Sequence, residues 1–180
     1  MTTQRKKIMT AADIDRSLNR IAMQILEYNH GLDDLAIIGI HTGGVFLADR
    51  IWNILQAKEN REIPKGSLDI SLYRDDWSLA TQNPVVQKTD ITFGVEGQTL
   101  ILVDDVLYTG RTIRAAMDAI MDFGRPRAIQ LAVLIDRGGR ELPIQADFSG
   151  RQVKVSADEH VHVLLKEKGK VDEVILESIG

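Results

Sequence analysis

Three short apolar runs, Leu35–Ile40, residues 100–103 and residues 128–135, set the terms on which this chain can fold. Each is too short for a helix and rich in branched aliphatic residues, so each predicts a strand buried on both faces. Between them lie segments of helical period. In residues 11–29 the side chains Ile14, Leu18, Ile21, Ala22, Ile25 and Leu26 recur at steps of three and four, one face of a helix. Thr10 and Asp13 give a capping-box start, and Gly31 a stop. The pattern predicts further helices over residues 45–58 and 112–123, the latter ended by Gly124 and Pro126. Residues 67–73 alternate and predict a strand, residues 74–90 are polar without a period, and short strands are expected near 152–155, 160–165 and 173–178. Strands alternating with helices predict an α/β fold, a mostly parallel sheet covered by helices on both faces, with ligands at the carboxyl ends of its strands. With no repeat or linker in sight, the 180 residues read as a single domain.

Composition excludes several chemistries. The absence of cysteine removes disulfides, thiol nucleophiles, iron–sulfur clusters and thiolate zinc sites. His30, His41, His160 and His162 show no metal-ligand spacing, so no metal held directly by the protein is expected. No apolar run approaches the roughly 20 residues that span a bilayer, and the basic start has no signal-peptide core. A cytoplasmic setting without a membrane partner is the expectation. The net charge of −4 argues against a dedicated nucleic-acid binder. The charge is uneven, however. Residues 125–154 hold Arg125, Arg127, Arg137, Arg140, Arg151 and Lys154 against Asp136, Glu141 and Asp147. A local basic face suits RNA phosphates, although ordinary surface arginines give the same count.

Two loops follow buried strands: His41, Thr42, Gly43 and Gly44 after Ile40, and residues 104–111 after Val103. The second belongs to the string Leu100-Ile101-Leu102-Val103-Asp104-Asp105-Val106-Leu107-Tyr108-Thr109-Gly110-Arg111-Thr112. A helix start offers unpaired N–H groups and the positive end of its dipole, which suit a phosphate. Thr109 and Thr112 add hydroxyl donors, and Gly110 permits close backbone approach. Asp104 and Asp105 repel a phosphate but accept hydrogen bonds from sugar hydroxyls or hold Mg²⁺ through water. One loop thus offers an anion site beside a hydroxyl or metal site, as a phosphorylated sugar requires. On residue types alone, an acidic strand end before a threonine-capped helix reads equally well as plain structure. Neither a P-loop nor a dinucleotide-binding glycine pattern occurs.

The whole string resembles the 5-phosphoribosyl-1-diphosphate (PRPP) signature of type I phosphoribosyltransferases, and its wording from Val103 to Thr112 resembles the PyrR family. Leu72-Tyr73-Arg74-Asp75-Asp76 is similar to the start of that family's flexible active-site loop. Gly124-Arg125-Pro126 and the run from Leu134 to Ile144 match further segments, so the similarity covers roughly residues 8–178. The resemblance implies a type I phosphoribosyltransferase fold with a small hood. It implies uracil phosphoribosyltransferase activity, in which uracil and PRPP give UMP and diphosphate with Mg²⁺ as cofactor. It also implies UMP-dependent binding of pyrimidine-operon leader mRNA in transcription attenuation, and homodimers that pair into homotetramers. By that analogy Asp104 and Asp105 hold the ribose hydroxyls, and Thr109 to Thr112 the 5-phosphate. His41 to Gly44 form the diphosphate loop, Arg74 closes over the leaving group, and Asp136 and Arg137 lie at the uracil end. RNA contacts map to Asn19, Arg20, Met23, Arg140, Gln145 and Arg151. The chain departs from the family pattern at four of these positions: Gly43 where a basic residue is usual, Asn19 for threonine, Met23 for histidine and Gln145 for arginine. A regulator with weak catalysis, an enzyme that has lost RNA binding, and a purine-specific phosphoribosyltransferase stay open as alternatives.

Overall fold

The computed structural model describes residues 3–75, 86–169 and 171–179. Along the chain these form β1 (Thr3–Met9), α1 (Ala11–Asn29), β2 (Leu35–Ile40), α2 (Gly43–Glu59), β3 (Lys65–Leu68), β4 (Thr99–Leu107), α3 (Arg111–Met121), β5 (Ala128–Asp136), β6 (Phe148–Gln152), β7 (Glu159–Leu164) and β8 (Glu173–Ile179). Five strands make a parallel sheet in the order β3-β2-β4-β5-β6. A second, antiparallel sheet has the order β1-β8-β7. The parallel sheet is the architecture the sequence predicts, and the antiparallel sheet stands where a small hood is expected.

The core divides across the parallel sheet. On one face Ile101, Val103 and Ile37 pack with Ile14, Leu18 and Ile21 of α1 and Leu47 and Ile51 of α2. On the other, Leu100, Leu102 and Ile38 pack with Ile113, Ala116 and Ile120 of α3. All six residues of β2 are buried, which explains its unbroken apolar sequence. Helix α1 starts as expected: Asp13 N–H donates to Thr10 Oγ1 (3.2 Å), and Thr10 N–H donates to the Asp13 carboxylate (2.9 Å). No helix among the described residues is long and apolar enough to cross a membrane.

Several boundaries differ from the sequence reading, each for a physical reason. The strand expected over residues 67–73 stops at Leu68, because the Asp69 carboxylate accepts from the Ser71 N–H (2.8 Å) and turns the chain. Residues 104–107 are strand, not loop: β4 stays paired with β5 as far as Leu107 opposite Asp136. Helix α2 begins at Gly43, two residues earlier than expected, and α3 spans Arg111–Met121. The strand expected near 152–155 is β6, earlier in the chain and paired with β5. Strand β1 gave no signal of its own. It exists through pairing with β8, where Arg5 lies opposite Glu177 and bonds its carboxylate (3.2 Å). Asp76 and most of the polar stretch of residues 74–90 lie outside the described residues.

Arg50 on α2 ties the hood side of the molecule to the helical layer. Its guanidinium donates to both Asp172 oxygens (2.8 and 2.9 Å) and both Glu167 oxygens (2.8 and 2.6 Å). Little of Arg50 or Asp172 meets water, so removing the cation strands a nearly buried carboxylate. Arg50→Gln is expected to lower the unfolding free energy by about 3 kcal/mol in urea titrations; a loss below about 1 kcal/mol would show that the bridge is dispensable.

Candidate active site

The acidic pair lies near the carboxyl end of β4, two residues before its last residue. Asp104 is only 7% exposed, whereas Asp105 is half-buried. Asp104 Oδ1 accepts from the Asp105 N–H (2.9 Å), and Asp105 Oδ1 from the Val106 N–H (2.8 Å). Burial, and then the adjacent Asp105 charge, push the Asp104 carboxyl well above the usual carboxylate range. The half-exposed Asp105 keeps an oxygen face toward the loop after β2. An added Cβ at Gly43 would run into the Asp105 carboxylate, and one at Gly44 into the Val103 carbonyl. Two glycines therefore let the start of α2 lie directly on the end of β4. Hard carboxylate oxygens at such an edge fit a magnesium ion held largely by water and substrate oxygens. Among the described residues no three acidic or histidine side chains gather to cage a metal themselves.

The turn after β4 is the candidate phosphate site. Gly110 caps α3 at φ 92°, and the first turn of α3 carries no acidic residue to oppose an anion. Arg111 N–H donates to Thr109 Oγ1 (3.2 Å). The turn is fixed from above, where the Glu141 and Leu142 N–H groups donate to the Thr109 carbonyl (2.9 and 3.2 Å). A cavity of about 300 Å³ lies there, lined by Arg74, Asp75, Thr109, Arg111, Thr112 and Glu141. Arg111 stands between two carboxylates, Glu141 (2.5 Å) and Asp75 (2.6 Å). It joins the phosphate turn to the segment that bears Arg74. Sequence reasoning left Asp75 and Glu141 without a role, because the bridge links residues far apart in the chain.

A second cavity, of about 540 Å³, opens at the carboxyl ends of β5 and β6, lined by Asp136, Gly138, Arg140, Gln145, Ala146, Gln152, Val153 and Lys154. Asp136 faces it with both oxygens engaged, by the Gly138 N–H (3.0 Å) and by Arg140 (2.7 Å). Arg137 does not line it. Its guanidinium is buried against the Tyr108 ring, 3.8 Å from the centroid. Gln152, Val153 and Lys154 fall where a strand is expected near 152–155, but nothing local tied them to a site; they reach the cavity because β6 pairs beside β5.

The sequence-based RNA candidates fall into two groups. Asn19, Arg20 and Met23 lie on α1 and Arg151 on β6: Arg20 donates to the Gly150 carbonyl and Arg151 to the Ile8 carbonyl, whereas Asn19 lines a separate hollow with Arg50 and Lys166. Asn19 is exposed, whereas Met23 is half-buried against the core. Arg140 and Gln145 belong instead to the rim of the larger cavity. Arg140 is drawn inward, donating to the Ile144 and Tyr108 carbonyls (2.8 and 2.9 Å) as well as to Asp136. The basic segment of residues 125–154 does not form one face. Arg127 precedes β5 and Arg137 follows it, so the strand separates them by roughly 30 Å.

Comparison with known proteins agrees with this architecture. A family model described as the phosphoribosyl transferase domain matches residues 5–166. The bifunctional protein PyrR of Syntrophobacter fumaroxidans is 52% identical over 170 residues, covering 94% of this chain and 91% of that protein. Its counterpart in Chloroflexus aurantiacus is 54% identical over 171 residues, covering 95% of this chain and 94% of its own. Among solved structures, a hypoxanthine-guanine phosphoribosyltransferase of Bacillus anthracis matches with a TM-score of 0.71 at 17% identity, over 100% of both chains. The hypoxanthine phosphoribosyltransferase of Trypanosoma cruzi matches with a TM-score of 0.73 at 16% identity, over 97% of each. At these identities the structural likeness speaks to the fold alone.

The raised Asp104 carboxyl makes stability depend on pH with a definite sign. Between its unfolded and folded values the folded chain keeps a proton that the unfolded chain has released, so stability falls as pH rises through that window. Asp104→Asn is expected to raise Tm by about 2–4 °C at pH 7.5. The gain should fade below about pH 4, where the unfolded carboxyl is itself protonated. Thermal unfolding at both pH values checks this; a variant less stable than the parent at pH 7.5 would overturn it.

Proposed function

This chain belongs to the PyrR family of phosphoribosyltransferases, and from that premise we propose that it makes UMP from uracil and PRPP and that UMP governs its binding to a pyrimidine-operon leader RNA. One observation carries the reading: an acidic pair, Asp104 buried and Asp105 half-buried, lies near the end of β4 and a few residues before a glycine-capped helix start, with one cavity at the candidate phosphate turn and another at the ends of β5 and β6. That order matches a substrate with a phosphate at one end, ribose hydroxyls in the middle and a base at the other end.

In the reaction N1 of uracil bonds to C1 of the ribose, the bond from C1 to the diphosphate oxygen breaks, and the N1 proton is lost. Positive charge grows on the ribose ring and negative charge on the departing diphosphate. The protein's part is positioning and electrostatic stabilisation. In this reading Asp104 and Asp105 accept hydrogen bonds from the ribose hydroxyls, and the negative charge of Asp105 favours the cationic ring. Thr109, Gly110, Arg111 and Thr112 bind the 5-phosphate. The loop from His41 to Gly44 cradles the diphosphate with the backbone N–H groups of Thr42, Gly43 and Gly44, Arg74 faces the leaving group, and Asp136 borders the base, with Arg137 supporting Tyr108 behind it. Mg²⁺, when bound, neutralises diphosphate charge at the Asp105 edge. A cytoplasmic setting and a second copy of the chain as partner complete the reading. For RNA, Asn19, Arg20, Met23 and Arg151 form the first contact surface, with Arg140 and Gln145 closer to the nucleotide.

With uracil, PRPP and Mg²⁺ the protein should form UMP, and Asp105→Asn should lower kcat by on the order of 100-fold. An unchanged rate would remove the assigned role, and preference for hypoxanthine or guanine over uracil would shift the reading to purine salvage. Gel-shift titration with the leader of its own pyrimidine operon should show sequence-specific binding strengthened by UMP. Binding that ignores both sequence and UMP would leave an enzyme without the regulatory function.

A further inference from the structure

The cavity read as the 5-phosphate site is already supplied with anions by the chain itself. Asp75 and Glu141 line it together with Arg74, Arg111, Thr109 and Thr112. Arg111 Nη1 donates to Asp75 Oδ2 (2.6 Å), and Arg111 Nε donates to Glu141 Oε2 (2.5 Å). Among the described residues the arginines and carboxylates at the cavity balance before any ligand enters. A phosphate monoester adds about two negative charges at neutral pH. It would add them beside an Arg111 that two carboxylates already share.

The two carboxylates are not held alike. Glu141 belongs to the turn through its own backbone, since its N–H and that of Leu142 donate to the Thr109 carbonyl (2.9 and 3.2 Å). Its main chain cannot withdraw without losing those bonds. Asp75 arrives from another segment, two residues beyond the helical turn of residues 71–73. That segment is tied to α3 ahead of Asp75, where Arg114 Nη2 donates to the Tyr73 carbonyl (3.0 Å). Arg114 Nη2 stands 3.9 Å from Asp75 Oδ2, beyond hydrogen-bond reach. Asp75 can therefore leave Arg111 with the Tyr73 anchor and the turn both intact. What is lost is one ion pair whose partners are 47% and 36% exposed, and a pair so exposed to water is weak.

We infer that Asp75 sets the affinity for phosphate-bearing ligands: it holds the Arg111 guanidinium in the free chain and yields it to the 5-phosphate, while Glu141 stays in place. The inference rests on reading residues 109–112 as the 5-phosphate site. It sorts ligands by one chemical group. PRPP and UMP carry the 5-phosphate and displace Asp75; uracil and diphosphate do not. The exchange also serves release, because Asp75 returns to Arg111 as UMP departs and the guanidinium passes from one anion to another. Asp75 follows Arg74 directly in the chain, so occupancy of the phosphate turn bears on where Arg74 stands.

Asp75→Asn keeps the size of the side chain and removes its charge. In calorimetric titrations at low ionic strength, UMP, ribose 5-phosphate and inorganic phosphate should each bind the variant about two- to five-fold more tightly than the wild type, the scale of a partly exposed ion pair. Uridine, which lacks the phosphate, should bind both alike, and added salt should shrink the gain. Asp118→Asn removes an equal charge from α3, where Asp118 pairs with Arg114 (2.8 Å), and should leave phosphate affinity unchanged. In an Arg111→Gln background Asp75→Asn should give no gain. In turnover the variant should lower KM for PRPP and not KM for uracil. Equal phosphate affinities, a gain shared by uridine or by Asp118→Asn, or a gain that survives Arg111→Gln overturns the inference. Unchanged affinities in a chain that still makes UMP sink the exchange alone. A chain whose phosphate affinity responds as stated but which makes no UMP sinks the functional reading and leaves the exchange standing.

Discussion

The parallel pairing of β4 with β5, kept up as far as Leu107 opposite Asp136, is the constraint on which the rest of the site depends. A strand that ended at Val103 would leave both aspartates in a solvated loop. Pairing carries them into the sheet instead, where Asp104 loses nearly all contact with water and its carboxyl titrates high. The same pairing puts the exits of β4 and β5 side by side. The two exits then share bonds: the Arg137 N–H donates to the Leu107 carbonyl (3.1 Å), and Arg140 reaches the Tyr108 carbonyl (2.9 Å). The phosphate turn and the rim of the larger cavity are therefore one unit, built on a few backbone carbonyls that would otherwise lack partners at the sheet's edge.

Close approach of backbone explains the most conspicuous departure from the family pattern. At Gly43 the direction a side chain would take is filled by the Asp105 carboxylate, and at Gly44 by the Val103 carbonyl. A large basic residue at 43 needs a different placement of this loop or of Asp105. What the chain gains with glycine is an unobstructed helix start: the first turn of α2 has no acidic residue, and its amides face the end of β4. On the proposed reading, what it gives up is a basic side chain beside the diphosphate.

The parts of the fold legible in the sequence are those whose signal is local. The period of Ile14, Leu18, Ile21 and Ile25 and the unbroken apolar run of β2 follow from burial of one helix face and of both strand faces. Strand β1 was illegible because its residues are charged and its stability comes from β8 at the far end of the chain, through pairs such as Lys7 with Glu173 (2.7 Å). The end of β3 was missed because one side chain, Asp69, overrides the alternation that continues past it. Two adjacent carboxylates suggested a loop, whereas the sheet buries one of them. In the candidate site the contiguous string from Leu100 to Thr112 could be read directly. Asp75, Glu141, Gln152 and Lys154 could not, since each arrives from another segment. Arg140 was read as an outward cation because sequence shows charge and not direction.

That inward turn of Arg140 bears on how one chain can serve both a small substrate and an RNA. Arg140 bonds Asp136 and the Tyr108 carbonyl on the nucleotide side and the Ile144 carbonyl on the segment leading to Gln145. Gln145 itself lines the larger cavity. On the proposed reading, a nucleotide filling that cavity and an RNA approaching its rim would compete for, or jointly order, the same few residues. Linkage makes the effect reciprocal: if UMP strengthens RNA binding by some factor, RNA strengthens UMP binding by the same factor. A chain that turns over UMP would then be slowed in product release whenever RNA is bound. Within one set of residues, tight regulation and fast catalysis oppose each other, and substitutions such as Gln145 at the rim are where that balance can move without disturbing the acidic pair.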